Sequence, residues 1–180
     1  MVIRVETIGA ATFTSATASL FPRLVLKEKP MAYIIMGLDP GVSGAIAFYD
    51  CLTKSIVAHD TPVVAGEIDC DTLSRMILEA KPNVCIIEHV HAVRGNGVTS
   101  SFNFGKSYGM VRGVVACCNV PLHLVSPSVW KRHFRLKADK EESRALALMT
   151  WPGVNMFGRK KDHGRAEAAL MAKYGADLRT

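Results

Sequence analysis

The chain has 180 residues, a net charge of +6 and a pI near 9.2. That length holds one domain with a substantial core, and 49% hydrophobic with 21% charged residues is ordinary for a globular protein. No uncharged apolar run approaches ~18 residues, which excludes a transmembrane helix, while the basic balance favours a polyanionic partner without proving one.

Residues 1–30 stand apart. Met1 to Leu20 are rich in Thr, Ser and Ala and carry no catalytic-looking side chain, whereas strong patterning opens at Met31. The expectation is an N-terminal extension over 1–30 and one domain over 31–180. Ser and Thr with Arg4 and Arg23 would suit a transit peptide, but Glu6 and Glu28 oppose it. A flexible or artefactual extension on a cytoplasmic protein is the favoured reading, and organellar import is the alternative.

From there the elements follow in order. Tyr33 to Leu38 is an apolar run closed by Asp39-Pro40-Gly41, a buried strand and its turn. Gly44 to Tyr49 is close enough to be its antiparallel partner, and Ser55 to Ala58 is a third, short strand. Asp71 can cap a helix whose Leu73, Met76, Ile77 and Ala80 keep helical spacing until Lys81-Pro82 stops it. Val84 to Ile87 is wholly apolar, hence a central strand.

A polar stretch, His91 to Ser100, precedes a long helix over Phe102 to Cys118. There Gly105, Gly109 and Gly113 recur every four residues, a smooth ridge suited to close backbone approach. Lys106 and Arg112 rule out a membrane role for it, leaving core or dimer packing. Pro121 to Val125 is a fifth strand. Helices over Lys140 to Met149 and Asp162 to Tyr174 complete the chain. Three β elements followed by alternating α and β describe a mixed sheet covered by helices. The five cysteines form no Cys-x-x-Cys pair. Cys85 in a strand and Cys117-Cys118 in a helix read as buried free thiols of a reducing compartment.

Four acids carry the chemistry. Asp39 ends a buried strand in a turn without bulky neighbours, although a simple turn cap would look the same. Glu88 follows four apolar residues, and an ionised Glu there needs a partner. On adjacent parallel strands the two carboxylates would meet at one sheet edge, repel, and demand a cation. Glu167 lies one helical turn beyond His163. Asp162 is either the N-cap of that helix or a fourth ligand turned inward from outside it. Oxygen-rich clusters suit Mg²⁺ or Mn²⁺, and a pair of such ions can clamp the attacking and leaving oxygens of a phosphodiester. The segment Trp130 to Lys140 interleaves Lys131, Arg132, Arg135, Lys137 and Lys140 with aromatics, a composition that holds phosphate.

Together these segments resemble the RuvC-type Holliday junction resolvases of the ribonuclease H-like superfamily. The resemblance runs from about Met31 to Gly175. It rests on Gly37-Leu38-Asp39-Pro40-Gly41 with Gly44, on Ile87-Glu88, on Gly109-Met110-Val111-Arg112-Gly113, and on Asp162-His163-Gly164-Arg165-Ala166-Glu167-Ala168-Ala169-Leu170. The last is more like the branch of phages, some bacteria and plant chloroplasts than the bacterial enzyme.

The resemblance implies an α/β, ribonuclease H-like fold, a five-stranded mixed sheet whose first three strands are antiparallel. It also implies a homodimer that nicks two opposing strands of four-way branched DNA with two Mg²⁺ or Mn²⁺ per active site and leaves 5′ phosphates. No small-molecule cofactor is implied. Asp39, Glu88 and Glu167 match the family's acids. The bacterial form has an Asp where this chain has Gly164, so Asp162 or His163 must substitute. Lys140 and Lys131 fall near the functional lysines. DNA contacts are expected from Lys131, Arg94, Lys106, Arg112, Arg132 and Lys137, with Phe102 or Phe104 stacking at the junction.

Three competitors are weighed. An actin-like ATPase shares the opening strand-turn-strand but needs a second half that this length does not hold. A nuclease for RNA or RNA–DNA hybrids is chemically equivalent. A non-catalytic junction-binding module would leave the acids unexplained.

Overall fold

The computed structural model describes residues 32–90, 97–137 and 139–179. The expectations for residues 1–30, His91 and Arg94 lie outside them.

Strands β1 (Ile34–Asp39), β2 (Ala45–Asp50) and β3 (Ile56–Asp60) form an antiparallel meander. A two-residue-strand hairpin, β4 (Val63–Val64) and β5 (Glu67–Ile68), leads into α1 (Cys70–Ala80). Then come β6 (Val84–Glu88), α2 (Val98–Cys117), β7 (Leu122–Val125), α3 (Pro127–His133) and α4 (Lys140–Thr150). A 3₁₀ turn over Lys160–Asp162 passes directly into α5 (His163–Asp177). The sheet order is β3-β2-β1-β6-β7, with β6 parallel to β1 and β7 parallel to β6. This is the expected mixed sheet with its first three strands antiparallel.

Strand alternation divides the core in two. Ile35 of β1, Ala45, Ala47 and Tyr49 of β2, and Ile86 of β6 face α3, α4 and α5, which bring Trp130, Ala147 and the alanines of α5. Met36, Leu38, Ile46, Cys85 and Ile87 face the opposite way, toward Leu73 and Ile77 of α1 and Val111 and Val115 of α2. Helix α5 packs very closely on β1, because a Cβ at Gly37 would lie 1.9 Å from the Ala168 carbonyl oxygen and 2.6 Å from the Ala172 nitrogen. Small residues on both sides permit that approach. No helix among the described residues is long and apolar enough to cross a membrane.

Several local expectations are corrected. Asp69, not Asp71, caps α1, accepting from the Thr72 N–H at 3.0 Å. The Asp71 side chain instead pairs with Arg75. Helix α2 starts four residues before Phe102, with Gly97 at its N-cap. Helix α3 lies in a segment that the sequence marks by its basic and aromatic composition and not by any helical period. Its signal was Ser126-Pro127, with proline at the first helical position. Cys85 is buried, but Cys117 is exposed and Cys51, Cys70 and Cys118 are half-buried, all five unpaired. The α2 glycine ridge also serves no core: a Cβ at Gly105, Gly109 or Gly113 meets nothing within 4 Å.

Candidate active site

The register places the acids. Leu38 pairs with Ile87 in the parallel β1–β6 ladder, so Asp39 and Glu88 come next at the same sheet edge. Ile35 and Ile86 point toward α5, and period-2 alternation sends Asp39 and Glu88 to that side too. On α5, Gly164, Ala168 and Ala172, spaced four residues apart, lie against β1. Gly164 lies against Asp39: a Cβ there would sit 3.4 Å from Asp39 Oδ2. Glu167, on the next turn, is thereby carried to the same place.

The hairpin turn is built for this approach. Gly44 must be glycine, since a Cβ would stand 2.1 Å from the Asp39 carbonyl oxygen, and Gly41 has φ +132. The Gly44 N–H donates to the Gly41 carbonyl at 3.1 Å, closing the loop tightly behind Asp39.

Each glutamate is fixed by one oxygen. The Trp130 indole N–H donates to Glu88 Oε1 at 3.0 Å. Lys131 Nζ donates to Glu167 Oε1 at 2.8 Å, and the buried Ser143 hydroxyl approaches the same oxygen at 3.4 Å. Among the described residues the Asp39 carboxylate accepts no hydrogen bond. Burial pushes the Asp39 carboxyl up to about 8, with Glu167 and Glu88 adding to the rise and Lys140 and Lys131 opposing it. Burial also raises Glu88, partly countered by the Trp130 hydrogen bond.

Three carboxylates, one of which accepts no hydrogen bond among the described residues, form a hard-oxygen donor set whose mutual repulsion Lys131 and Lys140 oppose. That chemistry fits a divalent cation such as Mg²⁺ or Mn²⁺. Among the described residues no group of three or more His, Cys, Asp or Glu side chains stands close enough to hold a metal ion, so the three acids would have to draw together around one. Lys140 opens α4, at the positive end of the helix dipole. A cation is disfavoured there for the helix alone, so the neighbouring acids offset its placement. Ser143, three residues on, shares its face and is fully buried.

Asp162 is not brought to this cluster. Its buried carboxylate accepts from the Arg159 backbone N–H at 2.8 Å and from the Arg159 guanidinium at 2.8 and 3.1 Å. Burial would raise it, but the Arg159 hydrogen bonds and the nearby Arg165 prevail and leave it lowered. The reason is local: the 3₁₀ turn folds Arg159 back over its own last residue. His163 is also tied locally, with Nδ1 3.4 Å from the Lys160 carbonyl oxygen. Arg165 reaches outward to both oxygens of Asp60, at 2.6 and 2.5 Å, locking α5 to β3.

The basic residues fall in separate places. A groove beside Lys131 is lined by Arg132, Arg135 and Lys137, and the left-handed backbone of Arg135 (φ 57) turns the chain around it. Phe102 is 69% exposed near the start of α2, and Phe104 stacks against Tyr108. Lys106 is held by Glu67 at 2.6 Å across to β5, and the Arg112 guanidinium lies 5.3 Å from the Tyr108 ring centre. Trp130 and Ser143 escaped the sequence reading. A tryptophan adjoining Lys131 was the available signal for the first. Nothing marked Ser143 beyond its helical spacing from Lys140.

No protein-family model and no curated protein matches the chain. Its fold is similar to that of Thermus thermophilus RuvC in complex with Holliday junction substrate, at TM-score 0.53 and 16% identity, covering 81% of this chain and 96% of that one. A second Thermus thermophilus RuvC structure gives TM-score 0.51 at 18% identity over 82% and 97% of the two chains. The yeast mitochondrial Holliday junction resolvase Ydc2 is matched at TM-score 0.45 and 16% identity, over 80% and 78%. At these identities the likeness concerns architecture, and the architecture is the ribonuclease H-like fold of RuvC.

Proposed function

We propose that this chain is a structure-specific endonuclease that resolves four-way DNA junctions by paired, metal-dependent nicking, leaving 5′-phosphate ends. The observation that carries this reading is the meeting of Asp39, Glu88 and Glu167 on one face of one sheet edge, flanked by Lys131 and Lys140, on a RuvC-type fold. One of the solved structures with this fold holds a Holliday junction.

Two Mg²⁺ or Mn²⁺ ions held by these three carboxylates would supply an activated water and stabilise the leaving 3′ oxygen. The chain's own residues do the rest. Asp39, free of competing donors, offers both oxygens to the site. Trp130, Lys131 and Ser143 each grip the Oε1 side of a glutamate, leaving Oε2 available. Lys131 and Lys140 place positive charge beside the scissile phosphate, where charge grows in the transition state. Asp162 is left out of the ligand set. Arg132, Arg135 and Lys137 extend the positive surface along the backbone path, with Lys106 and Arg112 on the α2 side and Phe102 as the stacking residue.

The test is cleavage of 5′-labelled four-way, hairpin, linear and RNA–DNA hybrid substrates with and without Mg²⁺. Symmetric Mg²⁺-dependent nicks in the four-way substrate are expected. Preferential cleavage of the hybrid would transfer the reading to RNA-directed nucleases, and binding without cleavage would reduce it to a junction-binding module.

A homodimer belongs to the same reading, and the exposed α2 face supports it. Val98 and Phe102 stand on that face with Gly105, Gly109 and Gly113, and α2 buries only Ser107, Val111 and Val115. A second copy of the same face is the occupant that such a ridge accommodates, backbone against backbone. Gly109→Glu should convert the dimer to a monomer by light scattering with an unchanged circular dichroism spectrum, because within one protomer no atom lies within 4 Å of a Cβ there. An unchanged dimer would place the interface elsewhere.

The nuclease is assigned to residues 31–180 of a cytoplasmic protein. Deleting residues 1–30 should leave junction cleavage within about twofold of the full chain.

A further inference from the structure

We infer that Trp130 is a positioning residue that sets the orientation of the Glu88 carboxylate, with α3 acting as a clamp on both active-site glutamates. The inference rests on the metal-dependent nuclease reading and deepens it.

Glu88 has a difficult task. It ends β6 with three side-chain torsions to fix, and its carboxylate faces Glu167 and Asp39, which repel it. Left alone, such a side chain swings away from its neighbours. Trp130 opposes that. Its ring is fully buried in the core beneath α5, so the indole N–H points in one direction only. The indole is a donor with no accepting capacity, and its acceptor is Glu88 Oε1 at 3.0 Å. The dependence is mutual, since a buried N–H without an acceptor is costly. Oε2 of Glu88 accepts nothing among the described residues and is the oxygen left for a ligand.

The next residue completes the clamp. Lys131 donates to Glu167 Oε1 at 2.8 Å while its ammonium lies 5.2 Å from the Trp130 ring centre. Two consecutive residues of one short helix therefore hold glutamates that come from β6 and α5. Proline at the first helical position stiffens the start of α3. The spacing of the two carboxylates is then inherited from a rigid element rather than from their own flexible side chains.

The other tryptophan supplies the control. Trp151 is also buried, but its indole N–H donates to the Lys54 carbonyl oxygen at 3.2 Å, away from the acids. Trp130→Phe and Trp151→Phe both remove an indole from the core. The first should weaken Mg²⁺ binding about 10-fold by calorimetry, the usual scale for loss of a group that orients a metal ligand. The second should leave Mg²⁺ affinity within about twofold. In a Glu88→Gln background, Trp130→Phe should cost no further affinity, because its effect passes through that carboxylate.

A measurement that needs no change at Trp130 runs in parallel. In metal-free protein the ¹H shift of the Trp130 indole should move on Glu88→Gln, and again when Mg²⁺ alone is added to wild type. The Trp151 signal should stay in place. Unchanged Mg²⁺ affinity in Trp130→Phe, or an indole signal indifferent to Glu88→Gln, overturns the positioning role alone. Wild-type protein that binds no Mg²⁺ at all overturns the nuclease reading and the positioning role together.

Discussion

Asp39→Asn is expected to remove Mg²⁺-dependent junction cleavage, by roughly 10³-fold or more, while leaving junction affinity in metal-free buffer within about twofold. The magnitude follows from its place: the charge it supplies acts directly where the phosphate would react. The same substitution should stabilise the metal-free protein. The Asp39 carboxyl is pushed up to about 8 from an unfolded value of 3.8, by burial first and then by Glu167 and Glu88. Between those values the folded protein binds a proton that the unfolded chain does not. Metal-free stability therefore falls as pH rises from about 4 to about 8 and is flat above. Asparagine carries no such dependence.

The melting temperature of Asp39→Asn should accordingly match wild type near pH 4 and exceed it increasingly toward pH 8. Adding Mg²⁺ should close the gap, raising wild type and not the variant. Retained cleavage in Asp39→Asn would remove this residue from the site. A gap that shrinks with rising pH would show that its carboxyl is not held in the protonated form.

Gly37→Ala tests the scaffold beneath that chemistry. Its new methyl carbon would lie 1.9 Å from the Ala168 carbonyl oxygen and 3.0 Å from the Ala168 carbonyl carbon. Both are backbone atoms of α5 and cannot rotate away. The helix must lift from β1, carrying Glu167 with it. Overpacking of this kind costs on the order of 3 kcal/mol, a drop of about 10 °C for a domain of this size. Mg²⁺ affinity of the fraction still folded should fall too. Gly158→Ala makes the contrast: the same methyl would meet only the Asn155 side-chain oxygen at 3.6 Å, an ordinary contact, and should change stability by less than about 1 kcal/mol. Equal melting temperatures for the two variants would refute the close β1–α5 contact.

Much of this organisation was legible along the chain. The apolar runs over β1, β2 and β6 announced central strands, and their parallel or antiparallel pairing followed from the spacing between them. Asp39 and Glu88 stood out because each ends an apolar run, and the β1–β6 register sets them side by side at one sheet edge. Glu167 was reached by its spacing from His163 and by the family resemblance, and the small residues of α5 bring that helix close to the sheet. Helix α3 was harder to see. Its seven residues are too few for periodicity, and its lysine, arginine and histidine read as surface charge. Asp162 misled for a related reason. Its position just before a helix suits a ligand, a cap or a local ion pair alike, and only the path of the 3₁₀ turn decides among them.

By itself the amino-acid order determined the five strands of the main sheet, four of the five α-helices and the acids at the strand ends, because hydrophobic period and sheet register are nearly local properties. Tertiary structure alone decided which groups surround those acids. Trp130 meets Glu88 across 42 residues, Lys131 meets Glu167 across 36, and Arg159 takes Asp162 for itself. Such partners are set by how helices pack on the sheet in three dimensions, and no spacing along the chain encodes that packing.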